Sequence, residues 1–299
     1  MKRSPTLIWL SAAVATLASV AAAAGLFWRE SGESFPFTTL RGEEIQIYGR
    51  GLYHYEWAFR APVLRGADAV LLFVGIPLLV VSIVLYRRGS LRGGFLLTGT
   101  LAVFLYNGAS LAFGAAYNDL FLLYVAYFST SLYAFALALG SIDLGTLPAH
   151  VSSDLPRRGI AIFIFVAGLS AGVWLMDIIA ALAEGGVPPN LAGYTTDVTA
   201  VIDVGVILPT AFLTGVMLLR RKALGYPLAA TLLTLLSLIG MIVASQTVAQ
   251  VLEDIVLSPG EFVAFVVPFV TLSLVAIWLL IVLLRNVSEV GDRQNHKLV

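Results

Sequence analysis

The stretch ADAVLLFVGIPLLVVSIVLYRR, residues 67–88, decides the fold class of this chain. After Asp68 it carries no charged residue until Arg87 and Arg88. A hydrocarbon core about 30 Å thick requires roughly 20 apolar residues in a helix. The run is continuously apolar and does not alternate with the period of two that barrel strands show. It therefore predicts a helix that crosses a bilayer and ends at a basic membrane surface.

Seven further segments have similar length and hydropathy, which predicts an all-α integral membrane protein with about eight transmembrane helices. The composition agrees, since 59% of the residues are hydrophobic, 12% are charged and the mean hydropathy is +0.92. The predicted spans are Leu7 to Trp28, Ala67 to Tyr86, Gly94 to Gly114, Leu120 to Leu139, Gly159 to Leu182, Val198 to Leu219, Pro227 to Val248 and Phe262 to Leu284.

The basic residues outside the long first loop all fall on one side of these spans, which predicts that this side and both termini are cytoplasmic. The five arginines of the loop 29–66 are matched by five glutamates in the same loop. The predicted organisation is a first helix at 1–28, an extracytoplasmic loop at 29–66, helices 2–4 at 67–139, a cytoplasmic loop at 140–158, helices 5–8 at 159–284 and a cytoplasmic tail at 285–299.

Residues 1–28 also have a second interpretation. Lys2 and Arg3, the apolar stretch and the alanines before Gly25 fit a secretory signal with a small-residue cleavage site. The apolar run is longer than a usual signal core, so we expect the helix to be retained. Cleavage would leave seven helices with the amino terminus outside.

The second and sixth spans resemble each other in sequence. Asp68 and Pro77 precede Arg87-Arg88 in one, and Asp203 and Pro209 precede Arg220-Arg221 in the other. Because both spans run inward, this pattern predicts a parallel internal repeat of four plus four helices about an axis along the membrane normal. Convergence of proline-bearing apolar helices is the alternative.

The composition argues against several chemistries. Without cysteine the chain has no disulfide, thiolate nucleophile or cysteine-ligated cluster. His54, His150 and His296 all lie outside the apolar runs, so an intramembrane bis-histidine haem site is not expected. Lys plus Arg equals Asp plus Glu at 18 each, which gives no indication of a nucleic-acid partner. The lipid bilayer is the predicted partner, and no cofactor is evident.

Three carboxylates are predicted near the outer ends of their helices. Asp68, Asp177 and Asp203 lie about 25 to 28 Å from the basic end of their spans at 1.5 Å per residue. Ionisable groups inside a span are costly unless they face protein or water, so they are functional candidates. Carboxylate and amide oxygens suit a hard cation or a proton, whereas a structural role would be capping or helix packing. The candidate binding residues for an ion or small polar solute are Asp177, Asp203, Asp68, Asn107 and Gln246.

The loop 29–66 is rich in aromatic residues. Its stretch from Glu44 to Tyr53 alternates around a glycine-containing turn, which predicts a short hairpin over the polar layer. Such a hairpin would act as a lid, with His54, Tyr53 and Trp57 as candidate residues. The alternative is an interfacial aromatic belt without a gating role.

Three classes of function are compatible with these features. A transporter or ion-binding permease would place its site at the repeat interface. A membrane scaffold or sensor would need only the loop and the bundle, and a carboxylate-based intramembrane enzyme, the least favoured class, would activate water at the outer face. Carboxylates that converge on one cavity favour a permease or enzyme. Carboxylates that face separate neighbours favour a scaffold or sensor.

The chain also resembles a family of uncharacterised bacterial multi-pass membrane proteins. The similarity is carried by residues 48–53 (YGRGLY), residues 86–93 (YRRGSLRG) and the DVG run at 203–205 with Pro209, and it extends over most of the chain. The resemblance implies a prokaryotic cytoplasmic membrane. It implies no activity.

Overall fold

The computed structural model describes residues 3–28, 30–170, 172–188 and 191–289. These residues contain eight helices that are long and apolar enough to cross a membrane, which confirms the predicted multi-pass architecture. The predicted tail is described only as far as Glu289, and its remainder, with His296, lies outside the described residues. The helices are α1 Pro5–Phe27, α2 Arg60–Arg87, α3 Leu91–Gly114, α4 Phe121–Gly140, α5 Arg157–Ser170 with Gly172–Ala183, α6 Val198–Leu219, α7 Gly225–Val251 and α8 Pro259–Arg285.

The outer surface of the bundle is apolar. Trp9 on α1, Phe73 on α2, Leu122 on α4 and Trp278 on α8 are all exposed. Large apolar side chains spread over the whole circumference are unfavourable in water but have the same polarity as lipid chains. This surface is the one that a protein surrounded by a bilayer requires.

Helices α3 and α7 form the centre of the bundle. In their most apolar stretches 67% and 61% of the residues are buried, whereas the share is 33% or less in the other six helices. The two helices pack against each other, α4 and α2 pack against α3, and α8 and α2 pack against α7. Two apolar cores result: one joins α1 to α4 with the loop before α2 and with the middle of α7, and the other joins α5 to α8 with the start of α3 and the α4–α5 connection.

Among the described residues, three spans contain a widened, π-helical turn just before a proline. The turns are Leu71–Gly75 before Pro77 in α2 and Asp203–Ile207 before Pro209 in α6, and α8 repeats the arrangement. Proline has no N–H to donate, and its ring collides with the carbonyl four residues earlier in a regular helix. Widening that turn relieves the collision and leaves the helix continuous.

The turns that end α2 and α6 have the same hydrogen bonds. The Ser90 N–H donates to the Leu85 carbonyl at 3.2 Å, and the Lys222 N–H donates to the Met217 carbonyl at 2.9 Å. Both bonds close a left-handed turn of the kind that commonly ends a helix. The left-handed residues are Gly89 (φ 84°) and Arg221 (φ 54°).

The helices that follow these turns begin with equivalent close contacts. A Cβ at Gly93 would lie 2.5 Å from the Leu85 Cβ, and a Cβ at Gly225 would lie 2.9 Å from the Met217 Cβ. Three pairs of equivalent residues have the same spacing along the chain: Gly93 and Gly225, Leu85 and Met217, and Pro77 and Pro209. By that distance Asp203 corresponds to Leu71 and not to Asp68.

Residues 30–59 form a cap over one end of the bundle. We name this end of the bundle the loop face and the opposite end, with Arg87 and Arg88, the arginine face. Strands β1 Phe35–Thr38 and β2 Glu44–Ile47 form an antiparallel hairpin in the cap. This hairpin lies earlier in the chain than the predicted one. The segment after β2 also reverses as expected, because the Tyr48 N–H donates to the Glu56 carbonyl at 2.8 Å.

Candidate functional site on the loop face

The cap is joined to the bundle by a buried hydrogen bond between Tyr53 and Asp68. The Tyr53 hydroxyl donates to Oδ2 of Asp68 at 2.6 Å, and each residue is only 2% exposed. A Cβ at Gly25 in α1 would lie 1.9 Å from the same carboxylate oxygen, so only glycine leaves room for the pair. The pair is therefore sealed between α1, α2 and the cap.

Hydroxyl and amide groups surround Asp68, and the positive charge of Arg65, one turn earlier on α2, also acts on it. Within the described chain, Asp68 takes part in none of the ion pairs. Tyr124 and Tyr127 on α4 are also buried, and the Tyr127 hydroxyl donates to the Asn107 side chain at 3.2 Å. Burial, followed by the charge of Asp68, raises the pKa of Tyr53 well above its ordinary value of 10.0. Tyr53 consequently keeps its proton and remains a donor.

A second cluster lies nearer the surface, around Glu253 at the end of α7. Its carboxylate accepts from the Tyr48 hydroxyl at 2.8 Å, from Arg50 at 2.8 Å and from Arg65 at 3.0 Å. Burial, followed by the bond to Glu253, raises the pKa of Tyr48. Because Tyr48 and Arg50 belong to the cap, this cluster fastens the cap to α2 and α7.

A cleft of about 180 Å³ lies between the cap and the end of α1. Tyr53, whose hydroxyl holds Asp68, is part of its wall, so the cleft lies directly over the buried pair. Its charged residues are two carboxylates and two guanidinium groups, contributed by Glu30, Glu253, Arg50 and Arg65.

Asp203 lies in a separate environment in the second half of the bundle. It is half-buried, and it accepts from the Tyr106 hydroxyl at 3.0 Å and from the Trp174 indole nitrogen at 3.1 Å. Tyr106 and Asn107 are consecutive on α3, and successive side chains on a helix point about 100° apart. Helix α3 therefore donates to Asp203 through Tyr106 and accepts from Tyr127 through Asn107.

Glu56 is a further buried carboxylate, in the cap itself. It is 1% exposed, it accepts from the Ala116 N–H at 2.7 Å, and it accepts a very short bond from the Tyr194 hydroxyl. The Arg60 guanidinium lies 4.5 Å from the centre of the Tyr194 ring. Burial raises the pKa of Glu56 above its ordinary value of 4.5. This residue ties the cap to the α3–α4 and α5–α6 connections.

The predicted binding residues are not gathered in one place. Asp68 and Asn107 lie in the first half with Tyr53, and Asp203 lies in the second half with its own donors. Asp177 is exposed and forms no hydrogen bond or ion pair with the described part of the chain. Gln246 is half-buried on α7, where α2 comes so close that a Cβ at Gly66 would lie 2.4 Å from the Gln246 Cα.

The other two predicted lid residues make contacts inside the cap. The His54 Nδ1 lies 3.0 Å from the Gly51 carbonyl, and its ring centre is 3.9 Å from that of Tyr55. Trp57 packs against Phe59 and pairs through its backbone with β2 at Ile47. Of the three, Tyr53 is the one that reaches into the bundle.

Within residues 3–28, 30–170, 172–188 and 191–289, no three His, Asp or Glu side chains come together as a set of metal ligands. The donors that hold Asp68 and Asp203 are hydroxyl and indole groups. Such donors orient a carboxylate without neutralising it. Neither carboxylate is therefore paired with a basic side chain within the described residues.

Sequence reasoning missed Glu56, Tyr106 and Tyr194. Their partners are distant in the chain, and tyrosine inside an apolar run counts as an ordinary spanning residue. The faint signal for Glu56 was its place among the aromatic residues of the loop.

The chain matches no protein-family model, and no curated protein or solved structure is significantly similar to it. The basis for assigning a function is therefore the geometry of these groups.

Proposed function

We propose that this protein is a membrane permease for a small polar solute or a cation, with residues 30–59 as a closed cap and Asp68 as the group that couples to an ion or proton. The Tyr53–Asp68 pair carries the proposal. A carboxyl group inside a spanning helix is costly and marks an ion or proton pathway by default. Here that carboxyl is held by the cap, beneath a polar cleft.

The pair suggests how the cap is released. A hydrogen bond from a neutral hydroxyl to a carboxylate is about twice as strong as one to a neutral acceptor. A proton or cation that reaches Asp68 from the cleft neutralises the carboxyl and weakens its hold on the Tyr53 hydroxyl. The cap is then retained by the Glu253 cluster and by the bonds of Glu56 to Ala116 and Tyr194, and it opens as these contacts break.

We also propose that the bundle is a four-plus-four parallel repeat with α3 and α7 beside its axis. Four features support this: the π-helical turns before Pro77 and Pro209, the matching turns that end α2 and α6, the equivalent glycine contacts, and the central position of α3 and α7. A third π-helical turn in α8 is consistent with convergence of proline-bearing helices, so it does not favour duplication.

The proposed orientation places the loop face outside a prokaryotic cytoplasmic membrane and the arginine face in the cytoplasm. The support is the excess of Lys and Arg at the arginine face together with the balanced charges of the loop 29–66. In this orientation the cleft over Tyr53 opens outward.

A membrane scaffold or sensor is the second candidate function. It is favoured by the separation of the carboxylates, because Asp203 is satisfied by Tyr106 and Trp174 while Asp177 is exposed. Carboxylates with separate neighbours serve helix packing and do not form one binding site.

Charge movement in proteoliposomes distinguishes the two functions. The purified protein is reconstituted and adsorbed on a solid-supported membrane, and currents are recorded after jumps of pH, Na⁺, K⁺, Mg²⁺ and Ca²⁺. We expect a current in the wild type that is abolished by Asp68→Asn and retained by Asp177→Asn, which is the matched control for the loss of one intramembrane carboxylate. Tyr53→Phe keeps the Asp68 carboxylate and removes its hydrogen bond to the cap, so we expect the current of this variant to rise faster than that of the wild type.

Absence of current in the wild type under every jump, with normal unfolding temperatures for all variants, would contradict the permease and favour a scaffold or sensor. A current that survives in a correctly folded Asp68→Asn protein would show that Asp68 is not the coupling group.

A further inference from the structure

A pocket at the arginine face is built independently of the cap and of Asp68. The connection between α4 and α5 crosses beneath the end of α8, where Val151 pairs with Val287. The Ser152 N–H donates to the Asn286 carbonyl at 2.9 Å, and the Ser288 N–H donates to the His150 carbonyl at 2.8 Å. These backbone bonds hold the pocket floor in one conformation.

The pocket has a volume of about 280 Å³ and a polar, cationic lining. It contains two guanidinium groups and no carboxylate among the described residues that form its wall. The Glu289 carboxylate lies 3.9 Å from Arg92 but is already bonded to the Ser90 hydroxyl and the Leu91 N–H. The lining residues are Arg92, Ala149, His150, Val151, Ser152, Arg285, Asn286 and Ser288.

Several donors of this pocket are unused, although the Asn286 amide donates to the Val282 carbonyl and the Ser288 hydroxyl donates to the His150 carbonyl. Arg285 is exposed and forms no hydrogen bond or ion pair with the described part of the chain. Arg92 uses Nε to donate to the Val287 carbonyl at 2.7 Å, which leaves its two Nη groups for another acceptor. The Ser152 hydroxyl accepts from the Asp154 N–H, so its own proton is free to be donated. Positive charge and free donors therefore converge on one space.

We propose that this pocket binds a phosphate group. Guanidinium forks match the geometry and charge of phosphate oxygens, and the Ser152 hydroxyl supplies a further donor. Two sources share that chemistry: the headgroup of an anionic phospholipid and a soluble phosphate. The pocket lies at the ends of α3 and α8, where a bilayer has its headgroups, and basic pockets between spanning helices commonly hold anionic lipid headgroups.

The test uses the full-length protein in a neutral detergent and follows its unfolding temperature and apparent Kd. Dioleoyl phosphatidylglycerol is compared with dioleoyl phosphatidylcholine, and sodium phosphate is compared with sodium chloride at equal ionic strength. The variants are Arg285→Gln, Arg285→Lys and, as the matched control, Arg88→Gln. Arg88 is exposed at the same face but is not part of the pocket wall. Because Arg285 has no described partner, its variants are expected to fold.

We expect phosphatidylglycerol to raise the unfolding temperature of the wild type and of Arg88→Gln. Removal of the Arg285 guanidinium should weaken the apparent Kd about tenfold, because a charged, two-pronged donor to the phosphate is lost. Arg285→Lys keeps the charge without the fork and should fall between the two.

Each outcome either identifies the source of the phosphate group or contradicts the proposed phosphate site. A response to phosphatidylglycerol alone identifies a lipid headgroup, and a response to inorganic phosphate at matched ionic strength identifies a soluble anion. If Arg285→Gln responds to both additions as the wild type does, or if the wild type responds to neither, the phosphate site is wrong.

Discussion

Helices α2 and α6 have the same local construction but opposite surroundings. Each has a π-helical turn before a proline, ends in the same left-handed turn and carries one aspartate near the loop face. In α2 the aspartate is 2% exposed beneath the cap, and 33% of the most apolar stretch is buried. In α6 the aspartate is half-buried, and only 22% of that stretch is buried.

The difference comes from what covers each helix. Helix α2 is covered by the cap, by α1 and by α7, which approaches so closely that Gly66 has no room for a side chain. Helix α6 lacks that cover, and Gly205 in its π-helical turn has nothing within 4 Å of an added Cβ. Two helices of the same local construction therefore carry one sealed carboxylate and one half-buried carboxylate, at positions that are not equivalent in the two helices.

The largest expected effect compares glycine substitutions on the two helices. Gly66→Ala would place a methyl group 2.4 Å from the backbone of Gln246, which cannot move without shifting α7. We expect a loss of about 3 kcal/mol in the free energy of unfolding, the upper part of the range for overpacking. Gly205→Ala meets open space and should change stability by about 0.5 kcal/mol or less. Unfolding in mixed detergent micelles measures both, and equal losses would show that α2 is no more tightly covered than α6.

An intermediate effect is expected from the two tyrosines that hold the aspartates. Tyr53→Phe leaves buried Asp68 without its only hydrogen bond from a described residue, which should cost about 2 kcal/mol. Tyr106→Phe leaves Asp203 with the Trp174 donor and partial exposure, so the cost should be about 1 kcal/mol or less. Unfolding measurements on both variants give the comparison. A greater loss of unfolding free energy in Tyr106→Phe than in Tyr53→Phe would show that Asp203, and not Asp68, depends more on its tyrosine donor.

The smallest effect concerns the pH dependence of Glu56, which links the cap to the second half through Tyr194. Its folded pKa is raised above 4.5 by burial, so the folded protein binds this proton more tightly than the unfolded chain does. The contribution to stability is complete below pH 4.5 and is lost as the pH rises through the folded pKa. Glu56→Gln cannot titrate, so its unfolding temperature should fall less over that range.

The control for this pH dependence is Glu44→Gln, which removes the same charge from an exposed position on the cap. It should keep the wild-type pH profile. An unchanged profile in Glu56→Gln would mean that Glu56 does not titrate in the folded protein over this range.

Much of the architecture was predictable from local features of the chain. Each span is recognisable from its own apolar run, and every predicted span overlaps an observed helix almost completely. The largest difference is in α2, which begins at Arg60, whereas its predicted span begins at Ala67. Bilayer thickness imposes this length on each helix separately, so no knowledge of the neighbours is needed. The strand Glu44–Ile47 was predictable from its own alternating pattern, whereas its partner strand Phe35–Thr38 was not predicted.

The sequence by itself determined that eight helices are long and apolar enough to cross a bilayer, where Arg and Lys gather, and which carboxylates lie within the spans. Only the tertiary structure decided that Tyr53 closes over Asp68, that Asp203 has its own donors, and that Asp177 is exposed. The physical reason is that hydropathy depends on each segment alone, whereas burial of a polar group depends on partners far away in the chain. Asp68 and Asp203 look alike in the sequence, and their difference arises from the cap and from the approach of α7 to Gly66.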